Sequence, residues 1–246
     1  MFKGIYSHYL RTKRTASRMV VLLCPILYAL ILSLYFKSNP IIQKHSVFAY
    51  YYLFGIISSF SFSFFVPLVY KPDENANHFA NEIRFAIKRS KNLIYKFLLI
   101  TLMYFFMLML STLLFYSFMK IFAIWYTTPK DVFIFACIVF FTSIQYIPIF
   151  QFIYLRFNSS TSIMVGSFLC LLSLLLGSTG LGYIIWNIIP FTYGIRLMDG
   201  YYKHLLSIGD ITFYLTISTL FTLALLLMNC VWYNKVNLTT NMEDEE

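Results

Sequence analysis

The sequence predicts an all-α integral membrane protein with six transmembrane helices, and three observations carry that prediction. Apolar stretches recur along the chain, Ser46 to Tyr70 and Leu93 to Phe118 among them, each long enough to cross a bilayer. A helix rises about 1.5 Å per residue, so a hydrocarbon core of roughly 30 Å takes about 20 apolar residues. Charged residues make up 12% of the chain against 59% hydrophobic, too few to cover a soluble domain of this length. No long polar block is present either, so residues 1–246 read as one membrane domain with no separate soluble part.

The first span is expected at 19–36. The basic segment before it leads straight into apolar sequence with no small-residue cleavage site, so it reads as a span rather than a removable leader. The next spans are expected at 46–69, 93–118, 132–155, 162–176 and 211–232. Basic residues set the orientation. Lys3, Arg11, Lys13, Arg14 and Arg18, the group from Lys71 to Lys96, Arg156 and Lys235 fall on one side, 13 in all, against 6 on the other. Both termini are therefore expected in the cytoplasm, and this basic collar would attract anionic membrane lipid. Residues 233–246 form a cytoplasmic tail with an acidic end. No nucleic-acid partner is expected.

Residues 177–210 are the irregular part. Gly177, Gly180 and Gly182 end the fifth span. The apolar run from Leu181 to Ile189 is too short to cross, and Pro190 and Gly194 follow it. A re-entrant pair of short helices, entering the outer leaflet and returning, is the preferred reading, with Trp186 and Tyr193 at the outer interface. A seventh span, which would put the carboxyl end outside, is the alternative.

Chemistry is sparse. The chain has no G-x-x-x-x-G-K-[ST] phosphate loop, no H-E-x-x-H and no G-x-S-x-G. No expected span has Asp or Glu at its centre, and none contains His, whereas ion-coupled transporters usually keep such groups at depth. The four cysteines lie in apolar stretches and suit neither zinc nor a disulfide framework. Lys96, one turn into the third span, is expected to snorkel to the cytoplasmic face. Ser59, Ser63, Thr142, Gln145 and Gln151 could line a path for an amphipathic cargo, although helix-to-helix hydrogen bonds are the stronger reading. No catalytic residue, metal site or bound cofactor is expected.

The most informative polar segment is 70–92. Pro72, Asp73 and Glu74 open it, and Asn75 or Asn77 can cap a helix. Phe79, Ile83 and Ile87 then recur every four residues, with Lys88, Arg89 and Lys91 at the end where the helix dipole favours cations. A short amphipathic helix is expected across the cytoplasmic face. It would either rest on lipid headgroups or dock a cytoplasmic partner that takes Phe79 and Ile83 into a groove.

This layout, a basic amino-terminal helix, six spans, a long first cytoplasmic connection and a broken helix pair before the last span, resembles the permease subunits of type-2 ABC exporters. Lys13-Arg14-Thr15-Ala16-Ser17-Arg18, with Pro25 and Tyr35 beyond, resembles the opening of lantibiotic (bacteriocin) immunity permeases of the MutG kind. Asn77-His78-Phe79-Ala80-Asn81-Glu82, followed by Lys88-Arg89-Ser90-Lys91, resembles their coupling-helix region. The resemblance implies an interfacial connecting helix over 1–18. It also implies a coupling helix in which Asn77, Phe79, Glu82, Ile83, Arg84 and Ile87 meet a cytoplasmic ATPase subunit. ATP and Mg would be held by that partner and not by this chain. A second permease chain, as homodimer or heterodimer, would complete the transporter in the bacterial plasma membrane. The substrate implied is an amphipathic peptide, either an antimicrobial peptide expelled for immunity or a cytolytic one such as a phenol-soluble modulin. The different-class alternatives are an ion-coupled transporter or channel, a membrane-embedded enzyme, and a non-transporting assembly factor.

Overall fold

A computed structural model of the protein describes residues 2–75, 89–122, 128–182 and 185–235. Among these the chain is helical, with no strand. In order the helices are α1 (Phe2–Arg11), α2 (Ala16–Ser38), the short α3 (Pro40–Gln43), α4 (Ser46–Asn75) and α5 (Arg89–Ile121). There follow α6 (Pro129–Ser143), α7 (Tyr146–Arg156), α8 (Ser159–Ser178), α9 (Tyr193–Tyr202) and α10 (Ile208–Lys235). Among the described residues six helical stretches are long and apolar enough to cross a membrane: α2, α4, α5 from Ser90, α6 with α7, α8 and α10. This is an all-α, multi-pass membrane protein. The end of the bundle that carries α1 and Lys235 is called the basic end here, and the opposite one the far end.

α4 and the α6–α7 span are the inner members. Half of the most apolar window of α4 is buried and 61% of that of α6–α7, against 17% for α10. In lipid, apolar side chains gain little by leaving one hydrocarbon surface for another, so close approach depends on small residues and polar bonds between helices. The α4–α8 seam is built this way. Ser59 and Ser63 stand four residues apart on α4, where Ser162, Gly166 and Cys170 of α8 approach it, while Gly55 and Gly177 pack on Met198 and Ile195 of the later helix α9. Ser162 Oγ donates to the Ser63 carbonyl at 3.0 Å, and Cys170 Sγ to the Ile56 carbonyl at 3.5 Å. The other extensive pairing lays α2 along α5.

Five expectations about the helices are corrected. Residues 70–75 do not open a connecting helix. They extend α4, because Tyr70 and Asp73 find buried partners in the bundle that a surface helix would deny them. Residues 89–92 already belong to α5, and the helix expected over 1–18 ends at Arg11, with a 3₁₀ turn at Thr12–Arg14 before α2. The fourth span is two helices, broken at Ile144–Gln145, where Pro148 cannot donate to the carbonyl four residues back. In the re-entrant region only the returning arm, α9, is an α-helix; the entering arm is a series of 3₁₀ turns at Gly180–Gly182, Ile185–Asn187 and Pro190–Thr192.

The re-entrant tip reaches deep. Gln145, near the middle of the α6–α7 span, donates through Nε2 to the Pro190 carbonyl at 3.0 Å, and the Tyr146 hydroxyl donates to the Phe191 carbonyl at 3.3 Å. Tyr193 is 1% exposed and donates to the Asn187 carbonyl at 2.6 Å, so it holds the excursion together and does not sit at the interface as expected. α9 then climbs to the far end, where the Tyr201 hydroxyl donates to Asp131 Oδ1 at 2.7 Å. Burial first, and that carboxylate second, push the Tyr201 hydroxyl up to about 12, which keeps it a donor at any ordinary pH.

Arg196 on α9 caps the end of α8. Its Nη2 donates to the Leu176 carbonyl at 3.1 Å and to that of Thr179, carbonyls left open by the helix terminus and favoured by a cation there. Arg196→Met is expected to lower stability by about 1–2 kcal/mol. It should also speed amide hydrogen exchange over 175–179 while leaving α10 unchanged. Equal exchange in both proteins would show that the cap contributes nothing.

Candidate functional site

At the basic end, four helices meet around one buried carboxylate. Asp73, in the last turn of α4, is 7% exposed. Its Oδ1 accepts from Arg11 Nη1 of α1 at 2.7 Å, and its Oδ2 lies 2.8 Å from Lys96 Nζ of α5. Lys96 is 2% exposed, and its ammonium sits 4.0 Å from the centre of the Tyr70 ring. The expectation that it snorkels to the surface is therefore overturned: a carboxylate and an aromatic face reward the charge inside the bundle.

α7 closes the site from the other side. Gln151 Nε2 donates to the Tyr70 hydroxyl at 2.9 Å, and the Tyr154 hydroxyl bonds Glu74. Both cations, Arg11 and Lys96, thus engage Asp73, while its neighbour Glu74 is held by Tyr154. The spacing explains it. Tyr70, Asp73 and Glu74 stand at i, i+3 and i+4 on one face of α4, and Gln151 and Tyr154 at i and i+3 on α7. A second tie joins the start of α5 to α10, with the Ser90 amide donating to Asn234 Oδ1 at 3.2 Å.

The network brackets residues 76–88. α4 leaves it at Asn75, α5 returns at Arg89, and both helices are pinned within two turns of those ends. Of the partner-binding residues proposed from sequence, Asn77, Phe79, Glu82, Ile83, Arg84 and Ile87 lie outside the described residues. Those proposed for a substrate path are all buried, and they do not converge. Ser59 and Ser63 belong to the α4–α8 seam and donate to their own helix at Ile56 and Phe60. Thr142 and Gln145 meet the re-entrant tip, with Gly194 packed on Thr142 Oγ1. Gln151 lies in the ion network. Sequence reasoning named Asp73, Glu74 and Lys96 but did not pair them. The available signal was a cation one turn inside a span, with the first acidic residue of the chain at the end of the span before it.

The network can bind, clamp and transmit load. Among the described residues no cluster of three His, Cys, Asp or Glu side chains could hold a metal ion. No family model, no curated protein and no solved structure matches the chain.

Proposed function

We propose that this chain is the membrane-spanning subunit of an ABC-type exporter that expels amphipathic antimicrobial or cytolytic peptides, driven by a separate ATPase. The basic end faces the cytoplasm, and residues 76–88 supply the contact with that ATPase. One observation supports this above the others: the two helices flanking 76–88 and the amino-terminal helix are tied to one another by a buried ion network. A push on 76–88 would reach Asp73 on α4 and Lys96 on α5 together, and through Arg11 it would move α1 with them. That is the linkage a passive gate needs if its power stroke comes from a companion. Because Ser59, Ser63, Thr142, Gln145 and Gln151 are buried in helix contacts, the cargo route is assigned to the face between two permease chains.

The test is Phe79→Asp combined with Ile83→Asp. Membrane insertion and yield should stay at the parent level, while ATPase co-purification and peptide-stimulated ATP hydrolysis are lost. Undiminished pairing would remove the coupling assignment.

An ion-coupled transporter has one observation in its favour. The broken fourth span meets the re-entrant tip at depth beside a cavity of about 10 Å³, room for roughly one water, with the Gln145 Oε1 atom buried and unpaired. The lining is the hydroxyls of Thr142, Ser143, Tyr146 and Ser173 with Gly55, Phe191, Gly194 and Ile195, and no carboxylate is among its described residues. Uptake driven by an imposed proton or sodium gradient, with the chain alone in liposomes, would favour it over the ATPase-driven exporter.

A further inference from the structure

A trough of about 810 Å³ runs between α1, α2 and α5, from the basic end toward mid-membrane. Its walls are apolar, among them Tyr6 of α1, Leu22 of α2, and Leu102, Met103 and Phe106 of α5. Leu22, Leu102 and Phe106 are about half exposed, so the trough opens sideways to the bilayer. Arg18 is its single charged wall residue among the described residues. The Arg18 guanidinium lies 4.1 Å from the centre of the Tyr9 ring and donates to the Tyr9 carbonyl at 2.6 Å, which fixes the cation at the α1 side of the trough.

We propose that this trough is a binding site for an anionic glycerophospholipid from the leaflet at the basic end, with its acyl chains against α2 and α5 and its phosphate at Arg18. Charge selects the occupant. None of the three helices that wall the trough contains Asp or Glu, and the first acidic residue of the chain, Asp73, is engaged by Arg11 and Lys96. Lys13, exposed on the turn beside the rim, adds to the positive field. A cationic amphipathic peptide would bring its charge against this rim, whereas a lipid phosphate complements it, and a guanidinium suits phosphate oxygens in geometry as well as in sign. The apolar depth below the cation matches acyl chains hanging from a headgroup. The site is independent of the exporter proposal, since it needs no ATPase and no residue of 76–88.

The full chain is reconstituted in nanodiscs of equal parts phosphatidylglycerol and phosphatidylcholine, released, and weighed with its retained lipid by native mass spectrometry. Phosphatidylglycerol should be retained over phosphatidylcholine by about fivefold, the worth of one cationic contact at a membrane surface. Arg18→Gln should abolish the preference and Lys13→Gln should keep most of it. Leu102→Trp, which fills the trough with Arg18 intact, should cut total retention. Four results would overturn the site: equal retention of the two lipids by the parent, equal losses in Arg18→Gln and Lys13→Gln (a diffuse basic collar), undiminished retention in Leu102→Trp, or displacement of the lipid by a cationic amphipathic helix. If α1 detaches in Arg18→Gln, the Leu102→Trp result decides.

Discussion

Asp73→Ala should cost about 3–5 kcal/mol of stability, the usual penalty for removing one partner of a buried ion pair. Lys96 would be left nearly inaccessible to water with no carboxylate, and Arg11 would lose the bond that holds α1 to α4. Thermal denaturation in detergent reads the loss. Replacing the pair with apolar volume, Asp73→Leu with Lys96→Met, should recover most of it, because the desolvation cost disappears along with the attraction. The double variant should still free α1, and limited proteolysis near Arg11 and Lys13 would detect that. The two halves of the triad should also differ in salt. Arg11 is partly exposed and its bond should weaken at high ionic strength, while the Asp73–Lys96 contact, shielded from solvent, should not. An Asp73→Ala protein that melts with its parent would show that the network is incidental, and the strongest support for force transmission through it would go too.

The second large effect is expected where α8 meets α4. A Cβ placed on Gly166 would stand 2.3 Å from Ser63 Cβ and 2.4 Å from its Oγ, closer than any real contact. Gly166→Ala must therefore separate two helices that approach through small residues, at a cost of about 2–3 kcal/mol. Removing the opposing side chain should relieve the clash: Ser63→Gly with Gly166→Ala is expected to melt within about 1 kcal/mol of the parent, since the Ser63 hydroxyl returns its bond only to its own helix. Non-additivity of that kind is the mark of direct contact. If Gly166→Ala alone is neutral, the seam is looser than the geometry describes.

Several features of this chain were legible in its residues. The six crossings follow from length and hydropathy, because a bilayer core imposes both on any helix that spans it. The absence of glutamate, aspartate and histidine from mid-span was equally plain, and so was the concentration of basic charge at one end. The candidate site was only half legible. Asp73, Glu74 and Lys96 could be named, but they looked like the opening of a connecting helix and a cation reaching for water. Their true setting depends on α7, some eighty residues away in sequence, which brings Gln151 and Tyr154 against Tyr70 and Glu74.

The same holds for Tyr193 and Arg196. Tyr193 read as an interface residue and Arg196 as one of the few cations of the far side; the fold sends the first into the core and uses the second to close the end of α8. Local composition tells which segments enter the membrane and which end carries the charge, because the bilayer selects on it. The tertiary structure alone decided which polar groups are buried and with whom, because a buried charge or hydroxyl persists only where a second element delivers its partner, and one-dimensional patterning does not encode that delivery.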